Sequence, residues 1–189
     1  MLNEDAIEQL AIERLVALGY DYRHGPDIAH DGGNPERSSY SDVVLAERLR
    51  AAVARINPDI PTEAQEQAVK TVLTTNVPEL LAANEAFHRL LTDGVEVEFQ
   101  QDGETRGEKV WLVDFDNPEA NNYLVTNQFT IVENNTNKRP DLILFINGLP
   151  LVVLELKNAA SENATLRSAY EQLQTYKSAI PGLFNYNGL

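Results

Sequence analysis

The chain has no cysteine among its 189 residues, so disulfides and thiolate metal sites are both excluded. Basic residues are scarce: Lys and Arg number 15 against 29 Asp and Glu, for a formal net charge of -14. Phosphate contacts need clustered Lys and Arg, so this balance argues against a stand-alone nucleic-acid binder. Any nucleic-acid role must be local, aided by metal ions, or supplied by other domains. No stretch approaches the roughly 18 apolar residues of a membrane span. The first ten residues carry acids early and lack a basic-then-apolar leader pattern. A cytoplasmic location with no membrane partner is the default expectation. Histidine is sparse too: His24 and His30 share a loop at weak metal-ligand spacing, and His88 stands apart. Asp31-Gly32-Gly33 lacks the lysine and following helix of a phosphate loop, so no nucleotide site is encoded. There is no internal repeat and no low-complexity segment.

What is present suffices for a core: 43% of the residues are hydrophobic. The length fits one domain, or a domain with a small appendage. The first two fifths read as helical. Glu4 to Leu18 has an apolar stripe at Ile7, Leu10, Ala11, Leu15 and Leu18, with Gly19 as a stop. Residues 24 to 40 are turn-rich. Ser41 is placed to cap a helix to Ile56, Thr62 with Gln65 reads as a capping box for a helix to about Thr75, and Pro78 opens a third helix to Leu91.

After Gly94 the period changes to two. Val95, Val97 and Phe99 alternate with acids, Asp102-Gly103 marks a turn, and Val110 to Phe115 reads as the returning strand. Tyr123 to Glu133 is a further strand region. Asp141 to Ile146 and Leu151 to Lys157 form a hairpin around Asn147-Gly148, and Ala164 to Ile180 is an amphipathic helix. Asp114 and Asp116 abut Asn117-Pro118 and read as turn residues, and Trp111 as packing.

The informative stretch is RPDLILFINGLPLVVLELKN, Arg139 to Asn158. Residues two apart share a strand face, so Glu155 and Lys157 project together. The hairpin brings Asp141 roughly opposite residues 154 to 156. Two carboxylates and an ammonium then converge at one end of an apolar hairpin. That set suits phosphodiester hydrolysis: the carboxylates give Mg²⁺ its oxygen ligands, and the lysine offsets charge or orients water. An isolated E-x-K is more often a solvated ion pair. Here the strand is apolar on both faces, which reads as a central strand where charge is costly unless used.

Pro140-Asp141 followed by Glu155-Leu156-Lys157 resembles the PD-(D/E)XK nuclease signature, and Gln172 with Tyr176 matches the Q-x-x-x-Y of its RecB-like branch. The block from Asn127 to Asn158, then AYEQLQTY and PGLFNYN, resembles the N-terminal nuclease domain of the type I restriction endonuclease motor (R) subunit. The likeness is close over residues 95 to 189 and loose over 41 to 91.

The resemblance implies an α/β fold with a PD-(D/E)XK core: a mixed central sheet flanked by helices, plus an additional helical segment. Residues 1 to 189 would form one nuclease domain, with core parts at about 1–24 and 93–180 and a helical insertion at about 41–92. The domain would be a piece of a longer motor subunit. The implied activity is type I site-specific deoxyribonuclease, with Mg²⁺ or Mn²⁺ as cofactor and ATP consumed by a motor outside this chain. The implied partners are double-stranded DNA and the methyltransferase and specificity subunits. Asp141, Glu155 and Lys157 would be catalytic, Asp141 and Glu155 also binding metal. Gln172, Tyr176 and Arg139 would support the site or contact DNA. A third acid is usual on the first helix, where Glu4, Glu8 and Glu13 are available. Glu13 falls opposite the apolar face, and Glu8, eleven residues before Gly19-Tyr20, is chosen as both metal ligand and catalytic acid. The alternatives are a free-standing resolvase- or repair-type nuclease of the same superfamily and a non-catalytic docking module.

Overall fold

A computed structural model describes residues 4–74, 77–101, 103–157 and 166–187. Helix α1 spans Glu4–Ala17 and leads into β1, Asp21–His24. After a long loop come α2 (Ala46–Ile56), α3 (Thr62–Leu73) and α4 (Leu80–Asp93). Strands β2 (Val95–Gln101), β3 (Glu104–Val110), β4 (Tyr123–Asn127), β5 (Ile131–Glu133), β6 (Thr136–Lys138), β7 (Leu142–Ile146) and β8 (Leu149–Leu154) follow. Helices α5 (Leu166–Ala179) and α6 (Pro181–Phe184) come last.

The central sheet has the order β1-β4-β7-β8. Strands β1 and β4 run parallel and the other neighbours antiparallel, so the sheet is mixed, as expected. Two further hairpins, β2–β3 and β5–β6, stand outside it.

The period of two divides the sheet's side chains between two cores. Val125, Leu142 and Leu144 pack with Ile12 of α1, and Leu15, Tyr20, Tyr22, Leu154 and Leu156 join them. The alternate residues Leu124, Ile143, Phe145 and Val153 face a larger core that includes Leu49 and Val53 of α2, Ala68 and Val72 of α3, and Leu173 and Tyr176 of α5. Phe129 and Phe145 meet there edge to face at 5.4 Å.

The β7–β8 turn is the expected Asn147-Gly148. Both residues have positive φ, 53° and 82°, as a two-residue type I′ turn requires. A Cβ on Gly148 would strike the Leu45 carbonyl and come within 3.0 Å of Leu49 N, so only glycine fits against α2. Buried Asn147 is fully engaged, donating to Leu112 O at 2.9 Å and to Asn121 Oδ1 at 2.8 Å.

Several element boundaries differ from the sequence reading. Helix α2 begins at Ala46, because Ser41 is bonded to Ser39 at 3.0 Å and Leu45 donates its N–H to Gly148 O at 2.9 Å. Pro61 caps α3, and Gln65 reaches back to Asn57 O and Ile60 O, each at 2.8 Å, so Thr62–Gln65 is not a capping box. Helix α4 starts at Leu80, two residues after Pro78. Strand β3 ends where the returning strand was expected to start, since Trp111 N–H is taken by Asn57 Oδ1 at 2.8 Å. Asp114 Oδ1 accepts from Asp116 and Asn117 N–H, the turn role read for it. Tyr123 to Glu133 breaks in two at Gln128, whose φ is 55°.

Strand β8 corrects a larger expectation. It stops at Leu154 and lies at the edge of the sheet, not in its centre. Its apolar faces are explained by cover from above and below: Leu151 and Val153 pack on one core, Leu154 on the other. Thr75, Asp102, Asn158 and the Ala164 helix start lie outside the described residues.

Candidate active site

The β7–β8 ladder pairs Leu142 with Leu154, and one further step sets Asp141 opposite Glu155. Opposed residues of an antiparallel pair share a face. Both carboxylates therefore stand at the open end of the hairpin, on the side covered by α5. Asp141 Oδ2 accepts the N–H of Leu156 at 2.6 Å, which holds the outgoing chain to β7. Lys157 Nζ donates to Glu155 Oε1 at 2.6 Å. The Glu155 side chain is only 3% exposed and that of Lys157 25%. Oε2 of Glu155 is buried with no hydrogen-bond partner.

Helix α5 closes the site from above. Gln172 Nε2 donates to the Tyr176 hydroxyl at 2.8 Å, joining the Q-x-x-x-Y pair across one helical turn. Tyr176 is buried, and its phenol is pushed up to about 12 by that burial and by the nearby charge of Glu155, with Gln172 opposing. Burial also raises both carboxyls above the ordinary acid range. For Asp141 the Leu156 N–H and Lys157 act against it and the charge of Glu4 adds to it. For Glu155 Lys157 opposes and Asp141 adds. Lys157 is raised in turn, chiefly by its bond to Glu155.

The structure thus unites Asp141, Glu155, Lys157, Gln172 and Tyr176. Glu8 is engaged elsewhere. Its Oε1 accepts from Asn127 Nδ2 at 2.7 Å, and Asn127 Oδ1 accepts from Tyr22 at 2.8 Å. Asn127 shares a ladder position with Leu142, on the α1 side of the sheet. Glu4, one turn earlier on α1, is the helix acid whose charge acts on Asp141 and Lys157. Arg139 is exposed. Arg167, at the exposed start of α5, pairs with Glu171 at 2.9 Å. The Asn127–Tyr22 pair escaped the sequence reading. Its signal was a polar residue closing the apolar strand YLVTN.

A buried carboxylate with an unsatisfied oxygen, beside a half-buried one, fits a hard divalent cation completed by water and a phosphate oxygen. Among the described residues no cluster of three or more His, Asp or Glu forms.

The family described as type I restriction enzyme R protein N terminus matches residues 1–189. The chain belongs to this family. Among curated proteins, this R-protein N-terminal region is 45% identical over 188 residues to the type I restriction enzyme HindI endonuclease subunit of Haemophilus influenzae, covering 99% of this chain and 18% of that protein. A protein of Methanocaldococcus jannaschii, provisionally named type I restriction enzyme MjaIXP endonuclease subunit, is 38% identical over 189 residues, with 98% and 18% covered. The R-protein region therefore spans about 18% of the length of these relatives. No helix among the described residues is long and apolar enough to cross a membrane.

Proposed function

We propose that this R-protein region is a Mg²⁺-dependent DNA endonuclease domain with a PD-(D/E)XK core. It would cut phosphodiester bonds after ATP-driven translocation by a motor outside these 189 residues. The observation that carries the reading is the partnerless, buried Glu155 Oε2 on the face shared with Asp141. Burying a carboxylate oxygen without a partner is costly, and a cation offsets that cost. The names of the relatives, endonuclease subunits of type I restriction enzymes, support the same reading.

Asp141 and Glu155 would hold Mg²⁺, for which Mn²⁺ can substitute. When bound, the ion supplies Lewis-acid polarisation of the phosphate. Lys157 orients the attacking water and offsets the charge that develops on the phosphate oxygens. Tyr176 stays protonated at neutral pH, since its phenol is pushed up to about 12, and its hydroxyl stands next to the charge of Glu155. Gln172 fixes the direction of that hydroxyl. Arg139, exposed two residues before Asp141, is placed to meet the DNA backbone.

The partners are double-stranded DNA and the methyltransferase and specificity subunits of the restriction complex. A net charge of -14 makes a poor DNA binder of the region alone, which suits cutting that waits for delivery of DNA by those partners. Calorimetric titration with Mg²⁺ tests the site directly. Saturable binding to the wild type, weakened at least tenfold in Asp141→Asn and Glu155→Gln, is expected. Equal heats in all three proteins would leave a non-catalytic docking module as the better reading.

A further inference from the structure

A cleft of about 1000 Å³ lies between the loop after β1 and helix α2, away from the Asp141–Glu155 pair. Arg37, Arg48 and Arg50 all line it. Two of these cations are spoken for. Arg48 is paired with Glu36 and donates to Asn122 Oδ1 at 2.8 Å. Arg50 is paired with Glu47 at 2.6 Å and Glu66 at 2.9 Å.

Arg37 differs. It is 7% exposed, and its guanidinium carbon sits 3.8 Å from the Phe129 ring centroid and 5.2 Å from that of Tyr40. Nη1 makes a long bond to Asp42 O at 3.4 Å, while Nε and Nη2 are buried with no partner. The nearest acids are otherwise occupied. Asp42 Oδ2 takes the N–H groups of Ser38 and Ser39, each at 3.0 Å, and Asp31 Oδ1 takes the Tyr40 hydroxyl at 2.9 Å. Aromatic rings hold a guanidinium in place but accept none of its in-plane N–H bonds. Leaving such donors empty inside a protein is costly, and an Arg fork is shaped to take two oxygens of one oxyanion.

We infer that this cleft binds the phosphate group of a small molecule, with Arg37 as its anchor. The hydroxyls of Ser38 and Ser41 and the ring of His30 line the same cleft and offer donors to the remaining oxygens. Those extra donors suit the three free oxygens of a phosphate better than the two of a carboxylate. The depth of Arg37 favours a terminal phosphate on a small ligand over the backbone of a duplex, which lies on open surface. Burial lowers the Arg37 pKa to about 10, so the side chain is still a cation at neutral pH. Reaching Nε and Nη2 requires the Ser38–Asp42 turn to give, against the Asp42 carboxylate, the Ser39–Ser41 hydroxyl contact at 3.0 Å and the bond from Val132 N–H to Tyr40 O at 3.1 Å. The inference does not rest on the nuclease reading.

Inorganic phosphate is the first probe, followed by the Arg37 Nε–H resonance in ¹⁵N-labelled protein. Acetate and a short blunt DNA duplex serve as the other two arms. Phosphate is expected to shift the resonance saturably, acetate at least tenfold more weakly, and duplex no better than its terminal phosphates allow. Arg37→Lys keeps the charge and loses the fork, and should weaken phosphate binding at least tenfold. Ser38→Ala, which leaves the stack on Phe129 untouched, should weaken it severalfold and covers the case in which Arg37→Lys does not fold. A resonance unmoved by phosphate, or unchanged affinity in both variants, overturns the site. A shift caused by duplex and not by free phosphate replaces the small ligand with nucleic acid.

Discussion

Asp141 accepts the backbone N–H of Leu156 at 2.6 Å, across the open end of the β7–β8 hairpin. One carboxylate oxygen therefore has a structural duty, and the proposed chemistry falls to the other. Asp141→Asn keeps an oxygen for Leu156 and loses the charge. It should fold normally while DNA cleavage falls by roughly 10²–10⁴-fold. Asp141→Ala should lose cleavage and also about 1–3 kcal/mol of stability, because the Leu156 N–H is left without an acceptor. Paired cleavage and denaturation measurements separate the two duties, and equal stability of the two variants would argue against the structural one.

Glu155→Gln and Lys157→Ala, placed in the complete R subunit with its partners, should abolish cleavage and leave ATP hydrolysis near wild type. The proposed function puts the motor chemistry outside these residues. Loss of ATPase in well-folded variants would contradict that separation.

Burial raises the carboxyls of both Asp141 and Glu155, so the folded chain holds their protons more tightly than the unfolded chain does. Stability then falls as pH climbs from the ordinary carboxylate range, about 4, through the raised values, and stays lower above them. Glu155→Gln removes its share of that loss. Without metal its melting temperature should exceed that of the wild type at neutral pH, and the gain should vanish below about pH 4. Added Mg²⁺ should raise the wild-type melting temperature at neutral pH and not in acid, where the carboxyls are protonated. Scanning calorimetry across this range, with and without Mg²⁺, reads both effects.

Much of this was legible in the residues themselves. Asn147-Gly148 set the turn, and counting back along two strands from it placed Asp141 roughly opposite residues 154 to 156; a one-residue register shift between Leu144 and Phe145 makes the partner Glu155. The spacing of Gln172 and Tyr176 gave their shared helix face. Other features were set by contacts that sequence periodicity does not carry. Strand β8 reads as central because apolar cover on two faces looks the same whether or not a neighbouring strand follows. Helix α2 starts five residues after Ser41 because Leu45 is bonded to the hairpin turn, a contact between distant segments. The partners of Glu8 and Arg37 depend on how loops and strands meet in space, and neither has a local signature.

Tyr176→Phe removes the hydroxyl that Gln172 meets at 2.8 Å and keeps the buried ring. Stability should change by about 1 kcal/mol or less, since Gln172 is exposed and regains water. Cleavage should fall about tenfold or more if the phenol serves the acidic pair, whereas Tyr176→Ala should cost roughly 3–5 kcal/mol. Full activity in both Tyr176→Phe and Gln172→Ala would reduce the pair to packing.

Glu4 and Glu8 can be told apart. Glu8→Gln should preserve a bond to Asn127 and leave Mg²⁺ affinity within about twofold if the Asn127 contact is its whole task. Glu4→Gln should lower Mg²⁺ affinity severalfold, because its charge acts on Asp141 and Lys157. The reverse order in a calorimetric comparison would make Glu8 the third acid.

The tight seat of Gly148 under α2 makes the hairpin a lever pinned at its tip, with the acidic pair at the other end. Alignment of the two strands is decided at that pin together with the irregularity between Leu144 and Phe145, which shifts the register by one residue on the way to the acidic pair. A slip of one residue there would bring Asp141 level with Leu154 or Leu156 and turn Glu155 toward α1, dismantling the pair without touching either carboxylate. A side chain added at Gly148 is thus a remote way to misalign the site, and helix α2, which contributes none of the five assembled side chains, becomes the part that keeps it in step.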